Sequence, residues 1–445
     1  MIGRDKAPTA QETFMQMAQA AGLRGRLLVT LGILMLIRLG IYLPIPGIDR
    51  GAIAAAVSSG NNQIFGLLDI FTGGGLSAVG VFSLGILPYI NASIIIQLLT
   101  AAIPALENLQ KNEGEAGRRK ISQITRYVAL GGAIFQSTSI SAFFLNRFAL
   151  TPEQGGHGAG IFFIAQTALA LTAGSMFVMW ASELITERGI GNGASLLIFT
   201  NIVASLPRSL GDTIDFVQNS NRETVGRVIV LLLLFLFTTV GIVFVQEGMR
   251  RIPIISARRQ VGRRVFAEQR SFLPLRLNQG GVMPIIFATA ILSLPIVVGQ
   301  FIRNADYSRI VNTYLNPSGS GSWVYALVYF VSIVFFSYFY SSLIVNPVDV
   351  AQNLKKMGSS IPGIRPGKAT SEYIERVLNR LTLLGAVFLG FIAIIPTAVE
   401  RALNVPTFRG LGATSLLILV GVAIDTSKQI QTYVISQRYE GMVKQ

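Results

Sequence analysis

Two glycine-rich stretches have the spacing of phosphate cradles. "GIGNGA" (189–194) fits G-x-G-x-x-A, the turn that presents backbone amides to a dinucleotide, and "GIRPGKA" (363–369) approaches the loop that wraps nucleotide phosphates. Context removes both. The first follows a long apolar run, where the chemistry needs a strand within a βαβ unit. The second is one residue short, and Ala369 stands where a Ser or Thr would hold magnesium. The one histidine, His157, lies in "EQGGHGAG" with no second ligand near it in sequence, and the chain has no cysteine, so disulfides and thiolate metal sites are not available. The apolar segments hold no H-E-x-x-H and no Ser/His/Asp arrangement. No catalytic residue, metal ligand or cofactor is expected.

The elements that surround these stretches explain why. The 445 residues are 51% hydrophobic and only 13% charged, whereas a soluble chain carries about 25% charged residues. Uncharged runs approach the length of a bilayer crossing, "VIVLLLLFLFTTVGIVFV" (228–245) most clearly. The pattern predicts a polytopic all-α membrane protein with ten spans, near 27–43, 81–101, 127–146, 161–182, 193–207, 228–246, 281–302, 323–345, 381–399 and 412–430. The polar N-terminal stretch lacks a small-residue cleavage site ahead of a short apolar core, so it is not read as a removable signal peptide. Of the 37 Lys and Arg, 27 fall in loops and span ends on one side, 9 on the other, and Arg38 lies inside span 1. The positive-inside rule makes the richer side, with both termini, cytoplasmic. The net charge of +15 is thus mainly a topology signal. Segments 247–280 and 346–380 stand apart as long, polar and basic loops.

Between spans 1 and 2, "NNQIFGLLDIFTGGGLSAVG" (61–80) holds an apolar run of about ten residues, one acid, Asp69, and three glycines, Gly73, Gly74 and Gly75. A ten-residue helix rises about 15 Å, half of a hydrocarbon core of about 30 Å. Two readings stand: a re-entrant half-helix inside the protein, reversed at the glycines, or an interfacial helix lying on the outer leaflet. The span that follows places Ile86 and Ile90 one turn apart around Pro88, and spans 7 and 10 open with aliphatic faces broken by small residues. A ring of such side chains in a hydrated bundle gates by dewetting; ordinary helix packing is the other reading.

At this point the motifs match a family. "LPIPGI" (43–48), "LGILPYINASIIIQLLT" (84–100), "EGEAGRRKISQITRY" (113–127), "ITERGIGNGASLLIF" (185–199), "QVGRR" (260–264) and "IPGIRPGKAT" (361–370) resemble the SecY family, the channel subunit of the bacterial Sec protein-conducting translocase. The resemblance runs from about residue 10 to 440. It implies two pseudo-symmetric halves of five spans, an inverted repeat, here 1–210 and 211–445, with the pore between them. It maps the pore ring onto Ile86, Ile90, Ala194, Ile198, Ile286 and Ile418, where Ala194 is smaller than the bulky aliphatic residue the family leads one to expect. It makes 61–75 a plug, with Phe65, Leu67, Leu68, Asp69, Ile70 and the three glycines as its body and hinge.

Spans 2 and 3 against 7 and 8 correspond to a lateral gate, with Asn91 and Gln136 as latch candidates; for each, a hydrogen bond within its own helix is the alternative. The basic loops correspond to the docking site for a ribosome or a SecA-like motor ATPase, through Arg258, Arg259, Arg263, Arg264, Arg365 and Lys368; anchorage by the positive-inside charge is the alternative. Expected partners are SecE-like and SecG-like small subunits, signal peptides, unfolded polypeptides and lipid. The expected location is the bacterial plasma membrane, or an internal membrane such as a thylakoid. A small-solute transporter is the competing function. It would place ionisable groups at midplane on broken helices, whereas the in-span charges here, Arg38 and Asp425, lie near span ends.

Overall fold

A computed structural model describes residues 21–53, 74–112, 114–143, 145–148, 160–218, 222–256, 259–261, 264–266, 269–301, 305–315, 321–403 and 413–443. Every expected span falls on a helix. The N-terminal ones are α1 (Ala21–Ile41), α3 (Leu87–Ala102), α5 (Gly114–Phe143), α6 (Ile161–Arg188) and α7 (Gly193–Gln218), with the short α2 (Gly75–Ala78) and α4 (Pro104–Asn112) between them. The C-terminal ones are α8 (Arg222–Glu247), α9 (Met283–Phe301), α11 (Ser322–Ile344), α13 (Lys368–Leu403) and α14 (Ala413–Val443), with α10 (Ala305–Tyr314) and α12 (Pro347–Lys356) as short connectors. By length and hydropathy alone, four helical stretches among the described residues suffice to cross a bilayer (161–188, 225–247, 322–356 and 368–396). A fifth is added if the pair 87–102 and 104–110 counts as one. That pair bends by 104°. Pro104 is the cause, because a residue before proline is driven out of the helical region, and Ile103 is indeed extended at φ −108°, ψ 112°.

The chain divides into two compact units, 1–213 with 409–411 and 422–445, and 214–408 with 412–421. In the first, an apolar cluster gathers Ile45, Ile48, Ile53, Val79, Leu84, Leu145, Phe163 and Leu171 from the loop after α1, the approach to α3, the turn after α5 and the helix α6. A bridge between Pro44 and Gly80 and the bond from Val81 N–H to the Leu43 carbonyl (2.9 Å) hold two of these segments together. Glycine is required at two close approaches here. A Cβ on Gly80 would collide with the Ile41 carbonyl, and one on Gly174 with that of Val81.

In the second unit the two basic loops are not loops. Strands β1 (Met249–Ser256) and β4 (Gln269–Arg276) pair antiparallel over eight residues, Met249 opposite Arg276 through Ser256 opposite Gln269. Strand β5 (Ser359–Ser360) adds to the end of β1, and β2 (Arg259–Val261) pairs with β3 (Arg264–Phe266). Alternation sets the faces: Ile252, Ile254 and Leu275 turn inward, Arg251 and Phe272 outward. The inner face packs on Leu354 of α12 and on Ile374, Val377, Leu378 and Leu381 of α13, positions spaced as one helical face. A 36-residue helix is about 54 Å long, well beyond a hydrocarbon core. The first turns of α13 therefore belong to this sheet-bearing part. The helical fold class holds, and among the described residues the strands are confined to segments 247–280 and 346–380.

Candidate functional site

The approach to α3 carries the first two proposed ring residues. Ser175 on α6 donates to the Gly85 carbonyl at 3.2 Å, and Ser83 donates to that of Gly80. Gly85 sits at φ +55°, so the chain turns sharply into α3, where Ile90 N–H bonds the Ile86 carbonyl at 3.1 Å. Pro88 costs nothing in the first turn, whose N–H groups have no helical acceptor. Ile86, Ile90 and Ile198 are buried, as is Ile418 in the second unit; Ala194 and Ile286 are half-buried.

Ala194 and Ile198 are positioned by the stretch that resembles a dinucleotide turn. Its amides are already used. Ile190 N–H bonds the Thr30 hydroxyl on α1 (3.0 Å), Gly191 N–H bonds Oε1 of Gln429 on α14 (2.9 Å), and Gly193 N–H bonds the Thr186 hydroxyl (2.9 Å). Asn192 caps α7 through Ser195 N–H at 3.2 Å. Gly191 is left-handed at φ +86°, and a Cβ on Gly193 would collide with the Ser182 carbonyl. The glycines serve a tight crossing of the chain's own backbone.

In the second unit, the buried Tyr329 of α11 places its hydroxyl 3.3 Å from that of Thr289 on α9 and 3.5 Å from that of Thr414 on α14. Thr289 lies three residues beyond Ile286, and Thr414 four before Ile418. The phenol thus ties together the two helices that carry these aliphatic positions. Sequence reasoning missed it, since one tyrosine in an apolar run has no motif.

Most of the plug candidates, Phe65, Leu67, Leu68, Asp69, Ile70 and Gly73, lie outside the described residues. Gly74 is left-handed (φ 84°) and precedes α2, which Gly75 begins. Helices α3 and α5, which carry the latch candidates, pack against each other. Asn91 is exposed and Gln136 half-buried. Neither side chain hydrogen-bonds among the described residues. Also missed was a two-point ion pair between α5 and α6: Arg126 Nε to Glu183 Oε1 and Nη2 to Oε2, both 2.9 Å.

Of the docking candidates, Arg258 and Arg263 lie outside the described residues, while Arg259 and Arg264 sit on β2 and β3. Arg365 and Lys368 are exposed at the tip and end of the turn from β5 to α13. The turn that resembles a phosphate loop is closed by its own chain: Thr370 Oγ1 donates to the Arg365 carbonyl (2.9 Å) and Ile364 N–H to that of Ile361 (3.1 Å). Gly363 and Gly367 supply left-handed φ of 77° and 115°.

With this geometry in place, the comparisons are decisive. SecY matches residues 80–427. The chain belongs to the SecY family. Protein translocase subunit SecY of Synechococcus elongatus, a cyanobacterium, is 68% identical over 446 residues, covering all of both chains. A solved protein-conducting channel shares the fold with a TM-score of 0.64 at 17% identity, over 92% of each chain. The Sec61 of the canine ribosome–channel complex from the endoplasmic reticulum gives 0.61 at 16%, again over 92% of each. The SecY fold therefore places the motifs of 84–100, 185–199 and 361–370 in one membrane protein of the translocase-channel class.

Proposed function

We propose that this SecY-family chain is the central subunit of a channel that passes unfolded secretory polypeptides across a membrane and releases apolar spans sideways into lipid. The observation that carries the reading is the end-to-end 68% identity to a protein translocase subunit. The closed state depends on an aliphatic ring, Ile86, Ile90, Ala194, Ile198, Ile286 and Ile418, which stays dry until a chain separates it. Residues 61–75 form the stopper on the outer side, hinged at Gly73, Gly74 and Gly75. Ala194 leaves one wall of the ring low, and the stopper compensates. Ten spans in two halves, with both termini cytoplasmic, complete the architecture, in the plasma membrane or a thylakoid. The seam of α3 and α5 against α9 and α11 opens laterally, with Asn91 and Gln136 as latch. An apolar signal peptide enters there because its transfer to lipid is favourable.

The sheet-bearing part docks the energy source, a ribosome or a SecA-like motor, through Arg258, Arg259, Arg263, Arg264, Arg365 and Lys368. Support comes from its packed apolar core, which makes it a shaped surface where a topology signal needs only charge. SecE-like and SecG-like small membrane subunits complete the assembly. The deciding experiment is site-specific crosslinking of a stalled secretory chain. Adducts at Ile86 and Ile286 are expected, and adducts confined to lipid-facing positions such as Leu233 overturn the pore. Deleting 61–75 should raise ion leakage through idle channels; unchanged conductance removes the plug.

A further inference from the structure

We propose that the ends of α11 and α13 nearest the sheet hold a membrane lipid whose headgroup is rich in hydrogen-bond donors and carries no net negative charge. A cavity of about 600 Å³ lies there. One side of it continues a row of residues that is open along α11: Trp323, Leu327, Val331 and Phe335, spaced four apart, are 70%, 57%, 57% and 61% exposed. This row lies on a helix apolar enough to span a bilayer. Residues four apart share one helical face, so the row is lipid-facing surface. The cavity begins at its last member, Phe335, and its occupant arrives from the bilayer.

The other rim lies at headgroup level. Helix α11 stops at Ile344 and Asn346 caps α12 through Val348 N–H at 3.0 Å. The positive-inside reading of 346–380 puts this rim in the cytoplasmic leaflet. There the cavity is lined by Glu375 and Asn379, one turn apart on α13. Both are exposed, and neither side chain is engaged in a bond or ion pair among the described residues. The Tyr338 hydroxyl donates to the Asn379 backbone carbonyl at 3.3 Å, which fixes the phenol ring beside them. Among the described residues, no Lys or Arg lines the cavity. A net-anionic headgroup would meet the Glu375 carboxylate, with no cationic side chain among the described lining. An ammonium, or the hydroxyls of a sugar, can donate to Glu375 and to the Asn379 amide oxygen over the faces of Tyr338 and Phe339. The acyl chains then run along Phe335 toward Val331.

The test uses the full-length chain purified with its partner subunits and stripped of lipid. Phosphatidylethanolamine, monogalactosyl diacylglycerol and phosphatidylglycerol are added separately and retained adducts are read by native mass spectrometry. One of the first two should be retained about tenfold more strongly than phosphatidylglycerol. Asn379→Leu should weaken that adduct for either lipid. Glu375→Gln separates the sources: it should cost the ammonium lipid about tenfold and the sugar lipid much less, because an amide oxygen still accepts. Both positions are exposed, so an unchanged melting temperature is expected. Equal or stronger retention of phosphatidylglycerol, adducts unaffected by both substitutions, or a partner subunit filling the cavity overturns the proposal.

Discussion

The ion pair between Arg126 and Glu183 gives the sharpest energetic test, because its two partners are unequally buried. The Arg126 side chain is 46% exposed and that of Glu183 only 16%. A half-solvated pair of this kind couples by about 1 kcal/mol even with two-point geometry. Deletion is another matter. Arg126→Met leaves a carboxylate that is largely cut off from water. Stranding a fully buried charge costs about 3–5 kcal/mol, and the remaining exposure reduces that to roughly 2 kcal/mol. Glu183→Gln leaves a guanidinium that can turn to solvent while the amide oxygen still accepts one bond, a loss of about 0.5–1 kcal/mol. The double variant carries no stranded charge and should be more stable than Arg126→Met alone. Equilibrium unfolding of the four proteins in one detergent measures all three differences. A Glu183→Gln loss equal to that of Arg126→Met, or a double variant at the sum of the singles, refutes the argument that desolvation of Glu183 dominates. The pair joins α5, which carries Gln136, to α6, so, if the proposed gate lies there, a shift in signal-peptide crosslinking to Gln136 should accompany the stability change.

Other predictions follow from single contacts. Gly193→Ala drives a methyl into the Ser182 carbonyl and should lower the unfolding midpoint, whereas Gly211→Ala on the same helix meets nothing within 4 Å and should gain up to about 1 kcal/mol from helix propensity. Tyr329→Phe removes the hydroxyl shared by Thr289 and Thr414 at a cost of about 0.6 kcal/mol, as for typical interhelical bonds in membranes. Tyr329→Ala empties the space and should cost about 3–5 kcal/mol in the same unfolding assay. Arg365→Glu should impair motor-driven export with no loss of folded protein, since only its backbone carbonyl serves the turn. Thr370→Ala, which removes the bond to that carbonyl, should destabilise by about 1 kcal/mol.

The helices behind the expected spans were legible because an apolar run long enough for a bilayer has few other uses. Their ends were less so. Span 9 reads as starting near 381, yet α13 begins at Lys368. Ile374, Val377 and Leu378 are a helical apolar face diluted by charge, and only the sheet they pack against explains it. That sheet was hidden for two reasons. Pro253 and Pro274 sit inside β1 and β4, and a proline in an apolar run argues against a strand. The partner of Ile255 and Ser256 is a pair of serines at 359–360, about a hundred residues later. Local periodicity cannot report such a pairing.

The two phosphate-like motifs show the same limit from the other side. Glycine at 191, 193, 363 and 367 was visible, and so was its meaning: backbone must come close to something, or turn through φ that a side chain resists. A phosphate loop and a tight interhelical crossing make that same demand, and sequence spacing alone does not distinguish them. What separates them is the acceptor that answers the freed amides. Here the acceptors are Thr30 and Gln429, 160 and 238 residues away from the amides they bind, and in the turn at 361–370 the Arg365 carbonyl is taken up by Thr370. With those groups satisfied inside the fold, the turn at 189–194 is left to aim Ala194 and Ile198. The turn at 361–370 holds Arg365 out in solvent, where a partner can reach it.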